Sequence, residues 1–126
     1  KTVDPQKLYI NQLMFINKKL IVLVEHLLAN SENTPPIIIL QADHGPWNVG
    51  SWEGDDLYTN RMRILNAYYL PYGGNAILYD SVTPVNTFRI IFNQYFGTNY
   101  DLLDDHCYYS WYEHPYQFIN VTERIR

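Results

Sequence analysis

An acidic residue and a histidine stand next to each other at Asp43 and His44, and Gly45-Pro46 follows them directly. A carboxylate oxygen and an imidazole nitrogen are both ligands of divalent cations, and the imidazole favours zinc or manganese over calcium. The pair therefore offers half of a metal site. The other interpretation is a plain turn, in which Asp43 accepts backbone N–H groups and Gly45 takes a positive φ.

The segment before this pair predicts a buried strand. Pro35-Pro36 precedes a run of β-branched and leucine side chains at residues 37–40, and Gly45-Pro46 closes the segment. An unbroken apolar run between such breaks is typical of a strand buried on both faces, as in a parallel α/β sheet. Ligands gather beyond the carboxyl ends of strands in such sheets, and Asp43 and His44 stand at such an end.

Capping residues and apolar periodicity predict two helices. Asp4-Pro5 predicts a helix that runs to about Asn30, with an apolar stripe that is expected to lie against a sheet. Thr83-Pro84 predicts a second helix that ends before Gly97. The apolar face expected for this second helix consists of Val85, Phe88, Ile91, Phe92 and Tyr95.

Shorter elements complete the predicted α/β fold. Residues 57–62 suit a helical turn, residues 64–70 suit a second strand that stops at Pro71, and short strands are expected near residues 107–111 and 116–121. The stretch from Gly45 to Asp56 contains three glycines and no apolar period. A loop of this length usually has a function.

Other acidic, histidine and cysteine side chains are candidates for completing a metal site: Asp55, Asp56, Asp104, Asp105, His106, Cys107, Glu113 and His114. The cluster from Asp104 to Cys107 lacks the two spaced ligand pairs that make zinc-binding sequences specific. A solvated acidic loop is therefore the favoured interpretation of that cluster. The sequence contains neither a nucleophile elbow nor a phosphate-binding glycine loop.

The composition limits the classes of function. The chain has 126 residues, which suits a single domain, and a formal net charge of −4. Its nine Lys and Arg are scattered, so nucleic acid is not an expected partner. The apolar run at residues 20–24 is flanked too closely by charged residues to span a bilayer. Because the chain begins at Lys1 without an initiator Met, we expect a fragment of a longer protein.

Three blocks of sequence follow one another along the chain: Ile37-Ile38-Ile39-Leu40-Gln41-Ala42-Asp43-His44-Gly45, then Asn66-Ala67-Tyr68-Tyr69-Leu70-Pro71, then Thr83-Pro84-Val85-Asn86-Thr87-Phe88-Arg89. In this order and spacing they resemble the C-terminal part of sulfatase-like proteins of the alkaline phosphatase superfamily. The resemblance covers nearly the whole chain. It implies the C-terminal portion of an α/β/α sandwich with a mostly parallel sheet, followed by a small aromatic-rich β region.

The resemblance also implies an activity. It indicates a metal-dependent phospho- or sulfo-ester hydrolase, or a phosphoglycerol or phosphoethanolamine transferase of the lipoteichoic acid synthase kind. The family's metal-binding Asp and His correspond to Asp43 and His44, and manganese or zinc is expected, with magnesium and calcium as alternatives. A cationic side chain that meets the substrate's anionic group corresponds to Arg63, and Arg61 is an equal candidate.

Further expectations concern what this chain lacks. The family's nucleophile and first acidic ligands lie upstream of these blocks, and Cys107 is in the wrong part of the pattern to be that nucleophile. The expected partners are an anionic ester substrate and the missing N-terminal half of the same domain. The parent protein is expected to be membrane-anchored or extracytoplasmic, and this chain alone is expected to show no turnover.

A hypothesis of a different class is a non-catalytic binding module. Trp47, Trp52, Trp111 and the many tyrosines would then form an aromatic platform for glycan or lipid head groups. A third interpretation is an inert scaffold that packs on the missing half. The loss of metal binding on substitution of Asp43 or His44 would favour the metal-dependent enzyme over the binding module and the scaffold.

Overall fold

The computed structural model describes residues 4–31, 34–46 and 57–126. The chain forms two compact units, which divide between Pro71 and Tyr72, and each is described by itself. Among the described residues, no helix has both the length and the apolar character that a membrane span requires.

The first helix, α1 (Pro5–Ala29), begins where the sequence predicts. Asp4 accepts a hydrogen bond from the Gln6 N–H at 3.0 Å, and Pro5 occupies the first helical position. The predicted packing against a sheet is not observed, because no residue of α1 is buried. A helix of this length extends over about 37 Å, whereas a four-residue strand extends over about 13 Å. The short strands of this unit therefore offer too little surface to cover α1.

The predicted strand after the prolines is present as β1 (Ile38–Gln41). It is not buried on both faces as expected, since Ile38 is buried, Ile39 and Leu40 are half-buried and Gln41 is exposed. The reason is that its only strand partner among the described residues is β2 (Asn66–Tyr69), so one edge of β1 has no neighbouring strand there. The described residues are thus a mixture of helices and small two-stranded sheets, without a parallel sandwich.

The strands β1 and β2 run antiparallel. Ile38 stands opposite Tyr69 and Gln41 stands opposite Asn66. An additional backbone hydrogen bond joins the Ala42 N–H to the Leu65 carbonyl oxygen at 2.9 Å. Consequently, the residues that leave β1 and the residues that enter β2 meet at the same end of the ladder. The helix α2 (Leu57–Met62), which matches the predicted helical turn, ends shortly before β2 at this end.

In the second unit, a 3₁₀ helix (Gly74–Ile77) precedes α3 (Pro84–Phe96). Both predicted ends of α3 are confirmed, and Gly97 ends it in the left-handed conformation with φ of 67°. The predicted apolar face is wrong for Val85, Phe88 and Phe92, whereas Ile91 is buried and Tyr95 is half-buried. The buried residues are Asn86, Thr87, Ile90 and Ile91, whereas Val85, Phe88 and Phe92 are exposed. The hydrogen bonds of Asn86, described below, turn this polar side of α3 inward.

Two short strands near the C-terminus are confirmed. They are β3 (Tyr108–Tyr109) and β4 (Ile119–Asn120), which pair antiparallel as a hairpin. A final helical turn, α4 (Thr122–Ile125), follows them. The Thr122 hydroxyl accepts a hydrogen bond from the Cys107 N–H at 2.9 Å, which ties the start of α4 to the entry of the hairpin.

Candidate functional site

Asp43 and His44 lie just beyond the end of β1, and both are accessible to solvent. The Asp43 side chain is 85% exposed and the His44 side chain is 48% exposed. Asp43 Oδ1 accepts a hydrogen bond from the His44 N–H at 2.9 Å, and Asp43 Oδ2 lies 3.3 Å from His44 Nε2. The carboxylate and the imidazole therefore converge on one point at the edge of the sheet, rather than being buried in apolar packing.

Gly45 is buried against the end of α2. Its N–H donates to the Arg61 carbonyl oxygen at 2.8 Å, and a Cβ at this position would lie 1.8 Å from the Asn60 carbonyl oxygen. Its φ is not positive, since the only described glycines with positive φ are Gly73 and Gly97. The glycine is thus required by a close approach of two backbones, and the positive φ that a plain turn would need is not observed.

Arg61 is the cationic candidate that contacts this pair. Its Nη1 reaches His44 Nδ1, and the same nitrogen donates to the Gly45 carbonyl oxygen at 2.9 Å. The other candidate, Arg63, is exposed, and its N–H continues α2 by donating to the Thr59 carbonyl oxygen at 3.0 Å. The antiparallel pairing explains the contact, because it brings the residues before β2 beside the residues after β1.

The geometry of Asp43 and His44 fits a shared divalent ion. Two ligands that are each about 2.0–2.1 Å from a tetrahedral zinc ion lie about 3.3–3.4 Å apart. The observed distance of 3.3 Å between Asp43 Oδ2 and His44 Nε2 agrees with this value, and it also suits a direct ion pair between the two side chains. Within residues 4–31, 34–46 and 57–126, no three side chains of His, Cys, Asp or Glu form a group that could hold a metal ion. The described part of the chain therefore offers two ligands at this point.

Several predicted residues lie outside the described residues. They are Trp47 and Trp52 of the aromatic platform, Asp55 and Asp56 among the candidate ligands, and the rest of the predicted loop from residue 47 to residue 56.

Asp105 is the centre of a hydrogen-bonded network in the second unit. Its Oδ1 accepts the Thr83 N–H at 2.8 Å and the Thr83 hydroxyl at 2.6 Å. Its Oδ2 accepts the Tyr79 hydroxyl at 2.5 Å and the Asn86 amide at 3.2 Å. Asp105 therefore stabilises the N-terminal end of α3, where a negative charge is favourable and where Pro84 has no N–H to donate.

Asn86 extends this network. Its side chain is fully buried, and its amide group both donates to the Leu103 carbonyl oxygen at 2.8 Å and accepts from the Leu103 N–H at 3.0 Å. Its Nδ2 also donates to the Tyr79 hydroxyl oxygen at 2.9 Å. No described side-chain nitrogen or oxygen that is buried lacks a hydrogen-bond partner, so the network is fully satisfied.

The network changes the pKa values of its members. Burial raises the pKa of the Asp105 carboxyl, but the hydrogen bonds from Thr83, Tyr79 and Asn86 outweigh burial and hold that pKa below its usual value. Burial raises the pKa of Tyr79, and the hydrogen bond to the Asp105 carboxylate raises it further. Asp105 is thus an ionised carboxylate with a structural role, and not part of the solvated loop that the sequence suggested.

The other members of the acidic cluster do not converge on a site. Asp104 and His106 are exposed, and so are Glu113 and His114 in the β3–β4 hairpin. Cys107 is half-buried, and burial followed by the nearby negative charge of Asp105 raises the pKa of its thiol. A thiol with a raised pKa is a poor nucleophile at neutral pH.

Two residues were not identified from the sequence: Gly45 as a contact of His44 and Arg61, and Asn86 as a member of the network around Asp105. The Gly45 carbonyl contacts both His44 and Arg61, and the signal was the glycine itself, which indicates either a positive φ or a close approach of two backbones. Asn86 was missed because only its apolar neighbours were assigned to the buried face. Its position one helical turn before Ile90 was the available signal.

The chain was compared with models of protein families, with curated proteins and with solved structures, and none of the three comparisons found a match.

Proposed function

We propose that this chain contributes Asp43 and His44 as half of the metal site of a metal-dependent phospho- or sulfo-ester hydrolase, or of a phospho-group transferase, of the sulfatase-like kind. The observation that carries the proposal is the 3.3 Å separation of Asp43 Oδ2 and His44 Nε2 at an exposed strand end, with the Arg61 guanidinium in contact with the same histidine. An acid, an imidazole and a cation at one point suit the chemistry of an anionic ester.

Each side chain then has a role. Asp43 and His44 would hold the ion, manganese or zinc in preference to magnesium or calcium, because the imidazole is a borderline ligand. The bound ion would supply positive charge that lowers the pKa of a nucleophile and neutralises charge on the transferring group. Arg61 would donate hydrogen bonds to an anionic oxygen of the substrate.

The proposal includes a larger fold. Zinc and manganese sites need more than two protein ligands. The remaining ligands and the nucleophile must therefore come from residues outside the described ones. The exposed apolar side chains of α1, among them Phe15 and Val22, support the proposal that this chain is a fragment of an α/β/α sandwich. Large exposed apolar surfaces are rare on isolated soluble domains and mark surfaces that another part of a protein covers.

A titration with zinc or manganese tests the half-site. Calorimetry should detect weak binding to the chain that Asp43→Ala and His44→Ala each abolish. Asp104→Ala and His106→Ala are matched controls, because they remove the same two side-chain types at exposed positions in the second unit. Metal binding that is unchanged in the first pair of variants, or lost in the second pair, would refute the proposal.

An activity assay tests the missing half. With p-nitrophenyl phosphate or sulfate as substrate, the chain should show no metal-dependent turnover, since its proposed contribution does not include the nucleophile. Turnover that requires zinc or manganese and is lost in His44→Ala would show that the chain completes its own active site.

A binding module for glycan or lipid head groups is a second candidate, and one observation favours it. In the β3–β4 hairpin, Tyr112 is 95% exposed and Tyr116 is 90% exposed, and Trp111 and Phe118 of the same hairpin are also exposed. Exposed aromatic side chains in a hairpin suit stacking on a sugar ring. Binding to a glycan array or to lipid vesicles that Tyr112→Ala and Tyr116→Ala abolish, and that Asp43→Ala leaves intact, would favour this candidate.

A further inference from the structure

The two ring nitrogens of His44 have different neighbours. Nε2 faces the Asp43 carboxylate, with 3.3 Å between Nε2 and Oδ2. Nδ1 lies 2.9 Å from the Gly45 carbonyl oxygen and also contacts Arg61 Nη1. Nδ1 is thus next to both an acceptor and a donor, and it can use only one of them at a time.

The position of the ring proton decides between these two neighbours. A neutral imidazole carries one N–H, and a guanidinium can only donate. While Arg61 donates to Nδ1, the proton is on Nε2 and points toward the Asp43 carboxylate. In the other tautomer, Nδ1–H donates to the Gly45 carbonyl, and the lone pair of Nε2 faces the carboxylate. Two acceptors that face each other are unfavourable unless a cation lies between them.

We propose that Arg61 and a divalent ion compete for His44, an inference that rests on the metal half-site proposed above. Arg61 stabilises the Nε2–H tautomer, which cannot bind a metal through Nε2. The Gly45 carbonyl stabilises the Nδ1–H tautomer, in which Nε2 and Asp43 Oδ2 together present two ligands. Metal binding therefore displaces Arg61 from His44.

The Gly45 carbonyl is well placed to stabilise the Nδ1–H tautomer, in which Nε2 can bind a metal. Its backbone is held by the hydrogen bond from its N–H to the Arg61 carbonyl oxygen and by its close approach to Asn60, where no side chain fits. A rigid carbonyl that accepts the second ring N–H of a metal-binding histidine orients the ring and raises the affinity for the metal.

The competition couples the metal to the substrate. Arg61 and a divalent ion repel each other at short distance, so the displaced guanidinium is favourable near the ion only when an anion lies between them. An anionic ester is such an anion. Metal loading thus converts Arg61 from a partner of His44 into a donor for the substrate.

The test begins with the metal-free chain labelled with ¹⁵N-histidine, at a basic pH where imidazole is neutral. Long-range ¹H–¹⁵N spectra distinguish the two tautomers, and His44→Gln assigns the signal among the four histidines. We expect the Nε2–H form of His44 in the unmodified chain and a shift toward the Nδ1–H form in Arg61→Gln. Arg63→Gln is the matched control, because it removes the same charge two residues away, and it should leave the tautomer unchanged.

Zinc titration provides the second measurement. Removal of a charge-assisted hydrogen bond that opposes binding should tighten the zinc affinity of Arg61→Gln about tenfold, with Arg63→Gln within about twofold of the unmodified chain. Because Arg61 makes further contacts, Arg61→Lys is a second variant, which keeps the charge and loses the guanidinium. It should change both measurements in the same direction by a smaller amount.

The outcomes separate this inference from the half-site itself. Zinc binding that is lost in His44→Ala but equal in the unmodified chain and in Arg61→Gln would overturn the competition and leave the half-site in place. An equal gain of affinity in Arg61→Gln and Arg63→Gln would overturn it as well, because it would show a general effect of charge. Zinc binding that does not depend on His44 would refute the half-site and the competition together.

Discussion

The backbones of Gly45 and Asn60 approach each other so closely that a methyl group on Gly45 would lie 1.8 Å from the Asn60 carbonyl oxygen. The segment that carries Asp43 and His44 is thereby held against the end of α2, from which Arg61 extends. The position of the acid and the imidazole relative to the guanidinium depends on this contact.

Gly45→Ala should therefore destabilise the first unit by about 3 kcal/mol, since the two segments cannot move apart without breaking the hydrogen bond from the Gly45 N–H to the Arg61 carbonyl oxygen. Amide hydrogen exchange in β1 and β2 measures the loss. Gly97→Ala is a control that strains a positive φ without a steric clash, and it should cost its own unit about 1 kcal/mol. A cost for Gly45→Ala no larger than that of Gly97→Ala would show that the close approach is unimportant.

Asp105 should make the stability of the second unit depend on acid pH. Because its pKa is lower in the folded chain than in the unfolded chain, the unfolded state binds the proton more readily. The stabilisation is present above the unfolded pKa of about 4 and is lost as the pH falls through the folded pKa. Urea unfolding at a series of acid pH values measures the effect.

Asp105→Asn should remove this pH dependence and cost about 2 kcal/mol at neutral pH, because an amide NH₂ would face the donors of Tyr79 or Thr83. Asp104→Asn changes the exposed neighbouring carboxylate and should leave both the stability and its pH profile unchanged. If the two variants lose stability in parallel as the pH falls, Asp105 is not the group responsible.

Asn86 should matter more for stability than the phenylalanines of α3. Asn86→Ala leaves the Leu103 N–H and carbonyl without their side-chain partner, and a loss of about 2–3 kcal/mol is expected. Phe88→Ala removes a side chain that is 48% exposed, and it should cost less than about 1 kcal/mol. Thermal unfolding of the two variants gives the comparison, and the reverse order would contradict the observed orientation of α3.

Cys107 should react slowly with thiol reagents at mildly basic pH. Burial and the charge of Asp105 raise its pKa, so less thiolate is present than in a free cysteine. The rate of reaction with a disulfide reagent measures this directly, because Cys107 is the only cysteine. The rate should rise in Asp105→Asn and reach that of a model thiol in denaturant. A native rate equal to the denatured rate would rule out the protection.

The elements that follow from local signals were predictable. Asp4-Pro5 marks the start of α1, Pro84 marks the start of α3 and Gly97 marks its end, because these signals depend on the conformation of residues that are adjacent in sequence. The buried face of α3 was not predictable in this way. The partners that turn Asn86 inward, Leu103 and Asp105, are 17 and 19 residues further along the chain.

The candidate site shows the same difference between residues that are adjacent in sequence and residues that only the fold brings together. Asp43 and His44 are neighbours in sequence, so their pairing was predictable from the sequence. The sequence left Arg61 and Arg63 as equal candidates for the cationic side chain. The contact of Arg61 with His44 depends on the antiparallel register of β1 and β2, which the sequence did not predict. The predictions that β1 is buried on both faces and that α1 packs against a sheet were wrong. Both assumed a larger sheet than the described residues form.

The dependence of α3 on Asp105 has a consequence for the order of protein synthesis. The Thr83 side chain does not cap α3, and the carboxylate that binds Thr83 belongs to a residue added 22 positions later. An isolated helix of 13 residues is marginal in water. On the ribosome, α3 therefore emerges before Asp105 can stabilise its N-terminal end.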